Sequence, residues 1–193
     1  MRIINLKKAI IVLLMIGIMV VVAGCARWPE GPEPGPGETE YQLEITVEVA
    51  GLINSYEGIY YIVIDVDGNP VDGPGDDISL WEDDFYYVKL DGMGFSFAQV
   101  KDDFESIFDG GSFSGDKIQV TIALSDLEDP NSIDINVLTT DSENNTYDHL
   151  DSYFTISTVL DFTETREDSA GDSGDGEADF DIVEVTAVVT TLY

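Results

Sequence analysis

Apolar and polar residues alternate with a period of two over much of the chain beyond residue 41. Leu43, Ile45, Val47 and Val49 interleave with Gln42, Glu44, Thr46 and Glu48, the pattern of a strand with one buried and one solvated face. Ile118, Val120, Ile122 and Leu124 interleave with Lys117, Gln119, Thr121 and Ala123 in the same way. So do Val183, Val185, Ala187 and Val189 with Glu184, Thr186, Val188 and Thr190. Tyr60 to Val66 (YYIVIDV) is apolar on both faces and reads as a central strand. Phe85 to Leu90 and Gly94 to Val100 are aromatic-rich strands about the turn Asp91-Gly92-Met93, and Ile133 to Thr139 and Phe154 to Leu160 add two more. One stretch reads two ways. Phe97, Val100, Phe104, Ile107 and Phe108 fall at helical spacing with Gly110-Gly111 as a cap, or a strand runs to Val100 and a loop follows; the strand is preferred. Eight or nine strands, frequent turn signals and little helix predict an all-β fold, a single antiparallel β-sandwich over residues 41–193. That length suffices for one domain with a substantial core.

The preceding residues have a different character. Arg2, Lys7 and Lys8 form a positive stretch before the apolar run Ile10 to Ala23. The run is too short for a membrane-spanning helix, which needs about 20 apolar residues, and it suits a signal peptide. It ends in Val22-Ala23-Gly24-Cys25, which holds the only cysteine of the chain. This tetrapeptide resembles the lipobox of bacterial lipoproteins; the alternative is a short uncleaved anchor with an incidental cysteine. The resemblance implies cleavage before Cys25, lipidation of its thiol, and attachment to the cell membrane or outer membrane, facing outside the cytoplasm. Two or more acyl chains make such anchoring stable. A cysteine consumed by lipid is neither nucleophile nor metal ligand, and the remaining fold stands without disulfides. The chain therefore divides into a signal peptide (1–24), a lipidated cysteine with an extended linker (25–40) and a β-sandwich domain (41–193). Arg27 to Glu40 carries four prolines, three glycines and four glutamates, a stiff tether that reaches on the order of 40 Å at ~3.1 Å per residue.

Charge narrows the function. All 39 acidic residues and only five of the eight basic ones follow Cys25, a formal charge of −34 for that segment. Such a surface repels nucleic acid, whose binding needs Lys and Arg to displace counterions, and anionic lipid as well. Two explanations compete for the acidity. One is a hydrated surface adapted to high salt, which the even spread of charge favours; the other is divalent-cation binding, because hard Ca²⁺ takes several carboxylate oxygens.

Among the acidic segments, Asp65-Val66-Asp67-Gly68-Asn69-Pro70 with Asp72 and Asp76 is the best cation candidate. Oxygens alternate at Asp65, Asp67 and Asn69 as in the first half of a calcium loop. Pro70 at the sixth position and Asp76 at the twelfth exclude an EF-hand. The competing explanation is a polar turn in which Gly68 and Asn69 supply the bend. Asp168 to Asp179 (DSAGDSGDGEAD) is expected to be a flexible solvated loop. His149 is the only histidine, too few for most zinc sites. Gly110-Gly111-Ser112-Phe113-Ser114-Gly115 departs from a nucleophile elbow and reads as a glycine-rich loop. Trp81, Phe85, Tyr86 and Tyr87 beside Glu82-Asp83-Asp84 form the best ligand-facing patch, with Trp81 and Tyr86 as candidates for stacking on sugar rings. Ordinary aromatic packing is the alternative.

The segment Tyr60 to Pro70 (YYIVIDVDGNP) carries a D-x-D-G-x-P pattern. Together with Ile122-Ala123-Leu124-Ser125-Asp126-Leu127, Ile135-Asn136-Val137 and Asp148, it resembles DOMON-like and family-9-like carbohydrate-binding sandwiches. The resemblance spans Tyr60 to Asp151 and implies a sandwich fold and extracellular ligand binding; no haem-ligand pair or sugar-site aromatic carries over. The resulting expectation is a lipid-anchored binding module without enzymatic activity, with a glycan or a divalent cation such as calcium as ligand. One alternative is a structural or assembly lipoprotein that docks an envelope protein. The other is a small hydrolase using carboxylates.

Overall fold

The computed structural model describes residues 40–102, 104–173 and 176–192. The expected signal peptide, the lipobox-like residues with Cys25 and the expected tether up to residue 39 lie outside the described residues. Among those described, twelve strands make two antiparallel sheets: β1 (Glu40–Val49), β2 (Ile59–Asp65), β3 (Tyr86–Asp91), β4 (Gly94–Gln99), β5 (Ser106–Ile107), β6 (Gly111–Ser114), β7 (Lys117–Ala123), β8 (Ser132–Thr140), β9 (Thr146–His149), β10 (Phe154–Ser157), β11 (Phe162–Glu167) and β12 (Ile182–Leu192). One sheet runs β11-β12-β1-β7-β6. The other runs β10-β8-β2-β3-β4-β5, with β9 also pairing β8 beyond the end of β10. No helix among the described residues is long and apolar enough to cross a membrane.

The expected β-sandwich is present, with twelve strands rather than eight or nine. The long alternating segments are its inner members: β1 pairs β12 and β7 on its two sides, and Leu43, Ile45 and Val47 are fully buried between the sheets. Facing them from the second sheet are Tyr60, Ile62 and Ile64 of β2, Val88 and Leu90 of β3, and Ile133, Ile135 and Val137 of β8. The additional strands are short edge members. Phe97 lies in β4, and residues after Gln99 form a loop interrupted by β5, so the strand reading of 97–109 holds. The glycine-rich Gly111–Ser114 is β6, an edge strand against β7.

Period two also dictates what the outer face of the seven-stranded sheet carries. Tyr60, Ile62 and Ile64 point into the core, so Tyr61, Val63 and Asp65 point outward. On β8 the same parity sends Asp134, Asn136 and Leu138 outward. These residues are nonetheless buried, because the twenty-residue connection between β2 and β3 folds back over them. Where it meets the sheet lies a second apolar cluster, in which Trp81 and Phe85 of the connection pack with Tyr61, Val63 and Leu138.

Candidate functional site

Neighbouring antiparallel strands need only a two-residue turn between them. The much longer connection from Val66 to Phe85 is held to the sheet by side chains that donate to its backbone carbonyls. Asn136 Nδ2 donates to Pro74 O at 2.7 Å, Tyr153 Oη to Pro70 O at 3.2 Å and Thr146 Oγ1 to Asp76 O at 3.0 Å. Trp81 Nε1 donates to Gly75 O at 3.1 Å, within the connection. Gly73 lies against the Tyr153 ring, where a Cβ would come within 2.6 Å of a ring carbon.

The carboxylates gather at the root of this connection. Asp65 ends β2 and pairs directly with Asp134 of β8. One carboxylate oxygen from each of Asp65, Asp67 and Asp72 lies within 4.8 Å of the others. A chain of hydrogen bonds fixes their order. Asp65 Oδ1 accepts the Asp67 N–H at 2.9 Å, Asp67 Oδ1 accepts the Asn69 N–H at 2.6 Å, and Asn69 Nδ2 donates to Asp72 Oδ2 at 2.8 Å. Gly68 provides the positive φ of 75° that lets the chain curl inside this chain of bonds.

Asp65 is 1% exposed, and its Oδ2 is buried with no hydrogen-bond partner. Burial pushes its carboxyl up to about 6, and the neighbouring charges of Asp67, Asp134 and Asp84 push the same way, against the Asp67 N–H bond. Burial also raises Asp134, opposed by its bond from the Thr155 hydroxyl and reinforced by Asp67 and Asp72. Asp67 and Asp72 are exposed, so the cluster opens to solvent on the loop side. A buried carboxylate with one partnerless oxygen, gathered with two further carboxylates, offers the kind of oxygen ligands that a hard divalent cation takes.

Of the five residues expected at a cation site, the structure brings together Asp65, Asp67 and Asp72. Asn69 acts through the hydrogen bonds that order them, with its amide turned to Asp72. Asp76 is not part of the group: the chain has turned toward β9, where Asp76 Oδ2 lies 3.5 Å from His149 Nε2. Asp134, which borders the group as the strand partner of Asp65 and adds its charge without lying among the three gathered oxygens, is the acid that the sequence reading missed. Its signal was an acid at an outward position of a strand otherwise rich in apolar residues.

The aromatic patch is packing. Trp81 is 9% exposed, edge-on to Tyr61 with centroids 5.5 Å apart and 6.0 Å from Tyr87. Tyr86 faces the opposite way, into the main core, stacked on Phe97 at 5.8 Å. Neither ring presents a free face for a sugar, which corrects the stacking roles expected of Trp81 and Tyr86.

A second acidic group joins Asp148, Asp172 and Asp181, again with oxygens within 4.8 Å of one another. Its two buried members are satisfied by backbone: Asp148 Oδ2 accepts the Ile182 N–H at 2.7 Å, and Asp181 accepts the Gly171 N–H through both oxygens, at 3.0 and 2.8 Å. Burial lifts the Asp148 carboxyl to about 6, with Asp168 and Asp172 adding to the rise. The group clasps β9 to β12 through the acidic connection. The expected solvated loop is therefore partly an internal strut, with Ser173 and Gly176 buried.

Comparison with known protein families, curated proteins and solved structures found no match.

Proposed function

We propose that this chain is a lipid-anchored, extracytoplasmic binding module without enzymatic activity, whose sandwich holds a divalent cation of calcium type through Asp65, Asp67 and Asp72. The observation that carries this reading is the buried Oδ2 of Asp65, which has no hydrogen-bond partner and sits among like charges. An isolated buried carboxylate is costly, and a bound cation relieves it. Ca²⁺ suits the group better than Mg²⁺. It accepts irregular sets of six to eight oxygens, whereas Mg²⁺ demands a near-octahedral cage and retains its waters. The anchor rests on the lipobox residues Val22 to Cys25. Calcium titration followed by calorimetry and thermal unfolding, at matched ionic strength, tests the cation site. The expected result is saturable binding and a raised Tm that Asp65→Asn abolishes; no effect beyond that of monovalent salt would remove the reading.

A second reading, docking of an envelope protein, is supported by one observation. On the side where β5 and β6 end their sheets, Phe104, Ile107 and Phe113 are 84%, 90% and 47% exposed. Co-purification with an envelope complex, lost on Phe113→Ser, would favour it over the first.

A further inference from the structure

We propose that the cation at Asp65, Asp67 and Asp72 works as a releasable fastening, which seats the Val66–Asp84 segment as a strap over the outer face of the seven-stranded sheet. This rests on the cation reading above and adds what binding does.

The distribution of the carboxylates carries the argument. Asp65 and Asp134 belong to the sheet, on the directly paired ends of β2 and β8. Asp67 and Asp72 belong to the strap. A cation held by Asp65 of the sheet and by Asp67 and Asp72 of the strap ties the two together. Without one, the same charges repel across that junction, and burial of the sheet-side pair strengthens the repulsion because little water screens it. On the sheet side, Asp65 is 1% exposed and its Oδ2 has no hydrogen-bond partner in the protein, which leaves that oxygen available to a cation.

Opposing the repulsion are contacts that are mostly neutral: the bonds from Asn136, Tyr153 and Thr146 to strap carbonyls, those from the Lys101 N–H and Gln99 Nε2 to Asp83 O and Asp84 O at its far end, Trp81 on Tyr61 and Tyr87, and the approach of Asp76 to His149. Between Asp67 and Asp77 most strap residues are exposed, Gly73 and Pro74 being the exceptions. A segment of this length and exposure belongs to the part of a fold that opens locally before the core does. The sandwich core shares no ligand with the site and remains closed when the strap lifts. Opening bares the outward faces of Tyr61, Val63, Tyr87 and Leu138, a patch of the sheet that the strap otherwise covers.

Trp81 reports the state of the strap. The chain has two tryptophans, so Trp28→Phe in the full-length protein leaves Trp81 as the sole tryptophan, read by selective excitation of indole. Three measurements are made in millimolar CaCl₂ and in excess EDTA at matched ionic strength: calorimetric calcium binding, acrylamide quenching of Trp81, and amide exchange by segment. The expected result is calcium binding, with EDTA raising Trp81 quenching and speeding exchange across residues 66–84 by about tenfold or more, while β1, β7 and β12 keep their protection. Calcium binding with unchanged Trp81 quenching and unchanged strap exchange overturns the fastening and leaves the cation site standing. No calcium binding removes the site and the fastening together. Loss of protection in β1, β7 and β12 along with the strap also overturns the fastening, because the cation would then hold the whole fold. The double variant Asp67→Asn/Asp72→Asn removes the strap-side charge; its Trp81 should stay shielded in EDTA, and an exposed Trp81 there would refute the repulsion argument.

Discussion

Replacing Asp65 by asparagine should stabilise the cation-free protein at neutral pH and abolish its response to calcium. The substitution keeps the shape and the oxygen that accepts the Asp67 N–H. At the position of the partnerless Oδ2 it places an amide donor facing the neighbouring acids. The magnitude follows from the carboxyl, which burial and neighbouring charge raise from 3.8 to about 6. At 1.36 kcal/mol per pH unit, the ionised form costs the native state on the order of 3 kcal/mol. The cost of the unbonded oxygen, ~1–3 kcal/mol, is the same energy seen from the hydrogen-bond side and does not add to it. The native state holds this proton more tightly than the unfolded chain. Stability from Asp65 is therefore complete below pH 3.8 and is lost as pH rises through about 6. Urea unfolding in EDTA should show Asp65→Asn more stable than the parent by about 2–3 kcal/mol at pH 8, with the gap closing near pH 4. In calcium the order narrows or reverses, since only the parent gains. A destabilised variant at pH 8 in EDTA, or a gain equal at both pH values, would refute the reasoning.

Asp148 offers a separate pH test. Burial raises its carboxyl to about 6, so its carboxyl carbon should titrate near there by NMR, and the stability it contributes should fall as pH rises from 4 toward that value. Asp148→Ala strands the Ile182 N–H and should cost about 2 kcal/mol in urea unfolding, whereas Asp148→Asn keeps an acceptor and should cost less. Gly73→Ala drives a methyl into the Tyr153 ring; a loss of ~1–3 kcal/mol, read from the same unfolding curves, is expected. Trp81→Ala should cost ~3–5 kcal/mol as a packing residue, and Trp81→Phe clearly less. Cys25→Ser should abolish incorporation of labelled palmitate and move the protein from the detergent phase to the aqueous phase.

The inner strands were legible because each separates a core from water. β1, β7 and β12 alternate over seven or more residues, and most of their apolar positions are the buried ones; Val183, expected to face inward, is only half-buried, because the register slips between Glu48 and Val49 and Ile182 takes the buried place. The missed strands lack that contrast. Ser106–Ile107 and most of Gly111–Ser114 are exposed on both sides, and β11 carries Glu164, Arg166 and Glu167 at the edge of its sheet. With no face to bury, period two has nothing to act on. The candidate cation site was half legible for a similar reason. Asp65, Asp67 and Asp72 lie close in sequence; alternating oxygens pointed to the first two, and Asp72 followed within the same acidic segment. Asp134 reaches the site through strand pairing at a separation that no local pattern encodes, as do Asp148, Asp172 and Asp181 in theirs. Asp76 failed because spacing alone does not report which way a loop turns. Trp81 and Tyr86 were read as candidate surface aromatics because the sequence did not reveal that one is turned from the connection onto the sheet and the other lies inside the sandwich.

Strand length at the sheet borders has a consequence of its own. The seven-stranded sheet ends on one side in the two residues of β5. On the other it ends in β9 and β10, four residues each and out of line along β8. Neither border exposes a run of amide and carbonyl groups long enough to template another chain. Copies concentrated on a membrane by the proposed lipid would meet constantly at high density, yet these borders give them little to zip together. A sheet truncated in this way can be crowded without polymerising.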